Sequence, residues 1–277
     1  MPMASPRKVA DPREPSFAAD AGKEADPLFN LSLAKGLEVL RAFDAAHRTM
    51  TLAEIAGRTG MTRASAQRTV HTLSVLGYVG KEAATRRFQL LPASMDIGFN
   101  YIAGHPLVQT ANPYLAQLAN TSGETAHLTE AVGSDMLYIA QRMTSQFIPV
   151  LTPVGMRIPM YCTSSGRAWL SCLSDEQVRA HLEAAPRPAR TPHTLTRLRA
   201  IETRIAACRR LGYAHNVEEL FRGDMGFAAA IGDKSGRPRG CVHVSPPTSR
   251  WTPAAAQKKL APMVIECARA ISAALAS

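Results

Sequence analysis

The chain has 277 residues, 46% of them hydrophobic, and a formal net charge of +10. That length suits about two domains of ~100–200 residues each, and the excess of Lys and Arg favours an anionic partner. No stretch reaches the ~20 uninterrupted apolar residues of a membrane span, and five cysteines, at 162, 172, 208, 241 and 267 with no C-x-x-C pair, predict reduced thiols in a cytoplasmic protein rather than a disulfide frame or a zinc site.

Residues 1–30 are rich in Pro, Ala and mixed charge and predict a disordered tail. No apolar run there is long enough for a signal peptide. Order begins at Ser32, a potential cap. Leu33, Leu37, Leu40 and Phe43 recur at helical spacing and predict one apolar helix face.

The segment TLAEIAGRTGMTRASAQRTVHTLSVLGY, from Thr51 to Tyr78, reads as two short helices joined by a tight glycine turn. Thr51 and Glu54 form a capping-box pattern, Leu52, Ile55 and Ala56 face inward, and Gly60 ends the first helix where positive φ is needed. Thr62 caps the second helix, whose buried stripe is Ala66, Val70 and Leu73, followed by Leu76. The other faces carry Arg63, Ser65, Gln67, Arg68 and His71. This is the pattern of a helix-turn-helix that places one helix in a DNA major groove. After Gly77, Tyr78 and Val79 start a strand, KEAATRR turns it, and Phe88, Gln89 and Leu90 return. The resulting wing brings Lys81, Arg86 and Arg87 within reach of backbone phosphates. Between positions 31 and 91 nine Lys or Arg face four acids, concentrating the positive charge here. The DNA-facing set is thus Thr51 and Thr62 at the helix starts, Arg63, Ser65, Gln67, Arg68 and His71 on the second helix, and Lys81, Arg86 and Arg87 on the wing.

Residues 93–103 predict a linker helix with Met95, Phe99 and Ile102 on one side; His105-Pro106 breaks it, and a helix follows over 107–122. From Thr125 the period changes to that of strands around a Gly-Ser-Asp turn. Further strands are expected at 147–151, 157–161, 213–217, 227–232 and 241–245, the last two as a hairpin. Helices are expected at 165–173, 175–183 and 195–211. Thr252 and Pro253 open a final helix with Leu260, Val264, Cys267 and Ile271 on its apolar face and a kink at Pro262. Mixed strands and helices imply an α+β domain.

In this order the motifs resemble the IclR family of bacterial transcriptional regulators. The carrying residues are SLAKGLEVLRAF, TLAEIAGRTGMTRASAQRTVHTLSVLGYV, VGMRIPMYCTSSGRAWLSCL, GYAHNVEEL with a glycine three residues on, and VHVSPPTSR. SLAKGLEVLRAF and IPMYCTSSGRAWL are most similar to the subgroup controlling aromatic catabolism (protocatechuate, para-hydroxybenzoate and the β-ketoadipate pathway). The resemblance implies a tail over 1–30, a winged helix-turn-helix over 31–91, a linker helix over 92–106 and a GAF-like α+β effector-binding domain over 107–277. It implies a homodimer or tetramer on a palindromic double-stranded DNA operator. It also implies a pocket for a small carboxylate, an aromatic acid or ring-cleavage product, lined by Ser164, Ser165, Gly166, Asn216, Gly226, His243 and Ser245. Two departures from the family pattern fall beside that pocket: Gly226 replaces a small polar residue or Cys, and SSG replaces the subgroup's SMG. Ser164 to Gly166 would start a helix, where free N–H groups and the dipole favour a carboxylate. His243 faces away from Val242 and Val244, and which side of the sheet it takes is open.

Four rivals stay beside this reading. An enzyme would need a nucleophile elbow, a zinc-protease pair or a phosphate-binding glycine loop, and none is present; His127 and Glu130 alone do not make a metal site. No cofactor is expected. A regulator of another carbon pathway would sense a non-aromatic carboxylate, and a DNA-binding protein whose second domain only oligomerises would use the pocket residues for packing. A redox sensor would need an activated thiol at Cys162 or Cys241, where a buried inert thiol fits better.

Overall fold

A computed structural model of the chain describes residues 26–146 and 150–276. The part of the expected tail over residues 1–25, and residues 147–149 of the expected strand at 147–151, lie outside the described residues. Val150 and Leu151 are not in a strand. The chain divides into two compact units between Tyr101 and Ile102.

In the first unit α1 (Leu31–Ala42) is capped by Asn30 rather than Ser32: the Asn30 carboxamide accepts the Leu33 N–H at 3.0 Å. Its expected face holds only in its second half: Phe43 is buried and Leu40 packs on the core, but Leu33 and Leu37 are 63% and 42% exposed, and Val39 and Ala42 are buried in their place. The helix carries apolar residues on two sides, so spacing alone did not decide which side meets the core.

Then come β1 (Thr49–Met50), α2 (Leu52–Thr59) and α3 (Arg63–Val75). The Thr51 hydroxyl accepts the Glu54 N–H at 3.3 Å while the Glu54 carboxylate accepts the Thr51 N–H at 2.6 Å, closing the capping box. Gly60 turns the chain at φ 66°, and Thr62 caps α3 through the Ser65 N–H at 3.2 Å. Val39, Met50, Ile55, Val70 and Leu73 share one core, each such side chain contributing about 1.5–3 kcal/mol when fully buried. Leu76 is exposed, because α3 stops at Val75 and Gly77 takes φ 80°. β2 (Val79–Lys81) and β3 (Phe88–Leu90) form the wing, and β1, too short to read from sequence, adds to it in the order β1-β3-β2. α4 (Ser94–Ala103) follows with no buried residue, Met95 and Phe99 being exposed.

The second unit begins with α5 (Pro106–Ser122), β4 (Ala126–Val132), β5 (Asp135–Arg142) and β6 (Arg157–Pro159). The strand expected to reach Tyr161 gives way at Met160 to a 3-10 turn. α6 (Ser164–Leu170), α7 (Asp175–Glu183) and α8 (Leu198–Leu211) come next; α6 ends three residues early and α8 starts three late against expectation. β7 (Ala214–Val217), β8 (Met225–Gly232), β9 (Pro238–Val244) and α9 (Pro253–Ala276) complete the unit, with α9 continuous through Pro262.

These strands make an antiparallel sheet in the order β6-β5-β4-β9-β8-β7. Strand alternation splits its side chains between two cores. Ala126, Leu128, Val242 and Val244 pack with α5 and α9, including the expected stripe Leu260, Val264, Cys267 and Ile271. Tyr138, Ala228 and Cys241 pack on the other face with α6, α7 and α8.

Candidate nucleic-acid interface and ligand pocket

Arg63, Gln67 and His71 recur every fourth residue along α3 and are exposed, with Arg68 beside them, on the faces that Ala66, Val70 and Leu73 leave free. Their donors suit base edges and phosphates. Ser65 is half-buried and set back: its N–H goes to the Thr62 cap and its carbonyl accepts the Thr69 hydroxyl at 3.0 Å. Thr51 and Thr62 use their hydroxyl oxygens as caps, which leaves each hydroxyl hydrogen free to donate outward.

The wing separates its three cations. Arg86 is exposed at the tip with φ 57°, a left-handed backbone unusual outside glycine. Lys81 is exposed, its ammonium 5.5 Å from the Phe88 ring centre. Arg87, expected to be a free phosphate contact, is instead tied inward. Its guanidinium reaches Glu54 at 2.7 Å, the Thr49 carbonyl at 3.0 Å and the Thr49 hydroxyl at 3.1 Å. The Thr51 N–H and Arg87 hold the Glu54 carboxyl down to about 2. Arg87 thus locks the wing to the start of α2, a role that a 33-residue separation hid from the sequence.

The start of α6 corrects a second expectation. Three of its first N–H groups already have acceptors inside the protein. The Ser164 N–H donates to Asn216 Oδ1 at 2.9 Å, the Gly166 N–H to the Thr163 hydroxyl at 3.3 Å, and the Arg167 N–H to the Thr163 carbonyl at 3.1 Å. Ser164, Ser165, Gly166, Asn216 and Gly226 are all buried. The glycines allow close approach: a Cβ on Gly166 would lie 2.2 Å from the Met160 Cα, and one on Gly226 2.4 Å from Ser164 Oγ. These five residues serve the packing of α6 on β7 and β8. Beneath them lies a buried ion pair that the sequence did not reveal. Arg167, 0% exposed, meets both carboxylate oxygens of Glu219 at 2.6 Å and donates to the Tyr161 carbonyl at 3.1 Å.

His243 points to the α6 side. Its Nδ1 meets Ser165 Oγ at 3.0 Å and its Nε2 the Tyr138 hydroxyl at 3.4 Å. Antiparallel register sets it opposite His127 of β4, and the two rings stack at 4.5 Å and 15°. Burial pushes His243 down to about 3 and His127 well below its ordinary value, with the His243 ring adding to the latter, so both are neutral. The pairing joins residues more than a hundred positions apart; the alternation around each histidine is the only local signal of it. Glu130 does not join His127 but meets His105 at 3.0 Å.

His127 lines a small solvent-open recess of about 10 Å³, room for one water-sized polar group. Ser245 and Asp224 line one side, Thr125 and Thr152 add hydroxyls, and Met143 and Leu151 give apolar surface. Of the seven residues expected to line a pocket, Ser245 borders this recess directly and His243 supports its floor. Burial pushes the Asp224 carboxyl up to about 7. Burial also pushes Cys162 up to about 12 and Cys241 well above its usual value, which makes both poor nucleophiles. No helix among the described residues is long and apolar enough to cross a membrane.

Comparison with known proteins agrees with this layout. Residues 32–83 match the IclR helix-turn-helix domain and residues 99–273 the C-terminal domain of bacterial transcriptional regulator IclR. The chain is 35% identical over 245 residues to the Pca regulon regulatory protein of Pseudomonas putida, covering 88% of this chain and 84% of that one. It is 28% identical over 243 residues to the acetate operon repressor of Salmonella typhimurium, covering 87% and 88%. The crystal structure of a protein from Rhodococcus sp. RHA1, described as a transcriptional regulator, superposes with a TM-score of 0.78 at 33% identity, over 89% of this chain and 98% of that one.

Proposed function

The chain belongs to the IclR family of bacterial transcriptional regulators, and from that premise we propose that it controls genes of aromatic-acid catabolism in response to a small effector. Members of this family are transcription factors, not enzymes. In this reading residues 31–91 grip the DNA, 92–106 connect, and 107–277 sense. The protein acts in the cytoplasm, where its DNA is.

The exposed set Arg63, Gln67, Arg68 and His71 reads bases or phosphates, with Lys81 and Arg86 on flanking phosphates. A palindromic operator takes two such helices, so the working form is a homodimer or a tetramer. The exposed Leu33, Met95 and Phe99 offer apolar surface for pairing in the first unit. Effector and DNA are coupled if the occupied pocket favours one spacing of the DNA-binding units; about 1–3 kcal/mol suffices to change affinity 5–150-fold.

The observation that carries the aromatic reading is the 35% identity to the Pca regulon regulatory protein across most of both chains. The acetate operon repressor favours a second reading, in which the effector is a non-aromatic carboxylate. A thermal-shift screen of the full chain separates them, using protocatechuate, para-hydroxybenzoate, phthalate, gallate, β-ketoadipate and acetate. An effector at ~100 times its dissociation constant adds about 2.7 kcal/mol of stability. Stabilisation by acetate alone moves the protein to another pathway, and a flat response to every compound moves the effector outside this panel or leaves the second unit as an assembly module.

A further inference from the structure

His127, which lines the recess, carries an unsatisfied buried group. His127 is 1% exposed, and its Nδ1 has no hydrogen-bond partner. The ring cannot turn easily to find one: it stacks on His243 at 4.5 Å and meets the Tyr138 ring edge-on at 5.0 Å. His243 offers no help, since its own nitrogens face Ser165 and Tyr138. A polar atom buried without a partner destabilises the free protein, and a bound group that meets it recovers the loss.

We propose that His127 reads a hydroxyl on the effector, and that the recess takes the hydroxylated end of a small planar molecule rather than its carboxylate. The inference rests on the reading that this unit binds a small effector. Three features select the hydroxyl. A neutral imidazole nitrogen is a donor or an acceptor according to tautomer, and a hydroxyl, being both, satisfies either form. Among the described residues, those lining the recess include the Asp224 carboxyl and no Lys or Arg, so an effector carboxylate at the floor would meet an acid and no cation from them. Met143, Val150 and Leu151 supply an apolar wall for a ring, while the carboxylate keeps its water at the open mouth.

The test is a titration of the full-length protein with para-hydroxybenzoate and benzoate, which differ by one oxygen. The wild type is expected to bind the hydroxylated acid about tenfold or more tightly. In His127→Phe, which keeps a ring to stack on His243 and removes both nitrogens, that preference falls to parity while benzoate binding persists. A preference that survives in His127→Phe overturns the proposal, as does a wild type that binds benzoate equally well. A readout free of any variant is the ¹⁵N resonance of His127 Nδ1 in labelled wild type. It shifts with para-hydroxybenzoate and stays with benzoate if the proposal holds, and an equal response to both overturns it. Failure of the parent reading looks different: the wild type then binds neither acid, nor any compound of the wider screen.

Discussion

The exposed side of α3 and the buried surroundings of α6 are both polar, yet they are built on opposite terms. On α3 the side chains of Arg63, Gln67, Arg68 and His71 stand exposed, while the helix is held by an apolar stripe and a Thr62 cap beneath them. Around α6 nearly every polar group answers another inside the protein: Ser164 to Asn216, Ser165 to His243, Arg167 to Glu219. Polar residues at the first place can be changed with little cost to the fold, because the fold does not use them. At the second they are the fold, and His127 Nδ1 is one of the few buried atoms left over among the described residues.

Breaking that contrast at its strongest point should give the largest effect. Glu219→Gln or Arg167→Leu leaves one member of a buried pair without its partner, and each is expected to destabilise the second unit by about 3–5 kcal/mol. Denaturant unfolding checks this, and a loss below about 1 kcal/mol would place the pair among weak surface bridges. Gln67→Ala or Arg68→Ala should do the reverse. Each is expected to leave the unfolding midpoint in place and to reduce discrimination between operator variants by about 1–3 kcal/mol. Binding to a library of operator variants measures it; unchanged base preference in both variants would take α3 out of the reading role.

How much of this was legible in the sequence follows from the same contrast. The Thr51–Glu54 box, the Thr62 cap and the stripe Ala66, Val70 and Leu73 are relations within one or two helical turns, and pattern finds those. The stripe on α9 was legible for the same reason. Nothing local marks that Arg167 closes on Glu219, or that register sets His127 on His243, because sheet pairing and packing bring those residues together. The helix start at Ser164 is less open to an anion than its position suggests, since Asn216, 52 positions away, takes the Ser164 N–H. On α1, two apolar sides competed and local spacing could not choose between them.

Asp224 sharpens the comparison through pH. Its carboxyl is raised to about 7 by burial, so between its ordinary value of 3.8 and 7 the folded protein binds a proton that the unfolded chain has released. Stability from this group is therefore present at low pH and lost as pH rises towards 7. Asp224→Asn removes that slope and should stabilise the protein at pH 8 by about 1–2 kcal/mol, less than the full shift because the recess is partly hydrated. The check is the melting temperature of both proteins from about pH 5 to 8. The neutral histidines work in the other direction, since His243, lowered to about 3, withdraws stability as pH falls below 6.5. Parallel curves for wild type and Asp224→Asn would mean that the carboxyl is ionised throughout.

The smallest effects lie in the wing, where adjacent arginines divide along the same line. Arg86 stands at the tip in the solvent, and Arg87 is bonded back to Thr49 and Glu54. If Arg86 touches a phosphate, Arg86→Ala weakens binding to every sequence alike and flattens the salt slope by about 0.9. Arg87→Ala should leave that slope alone. Its signature is internal: the Glu54 carboxyl, deprived of its guanidinium, rises from about 2 towards the ordinary carboxylate range, which a ¹³C titration of Glu54 reads directly. A salt slope that flattens in Arg87→Ala while Glu54 keeps its low value would reverse the assignment, since that pair of results requires a guanidinium that binds DNA and leaves α2 unattended.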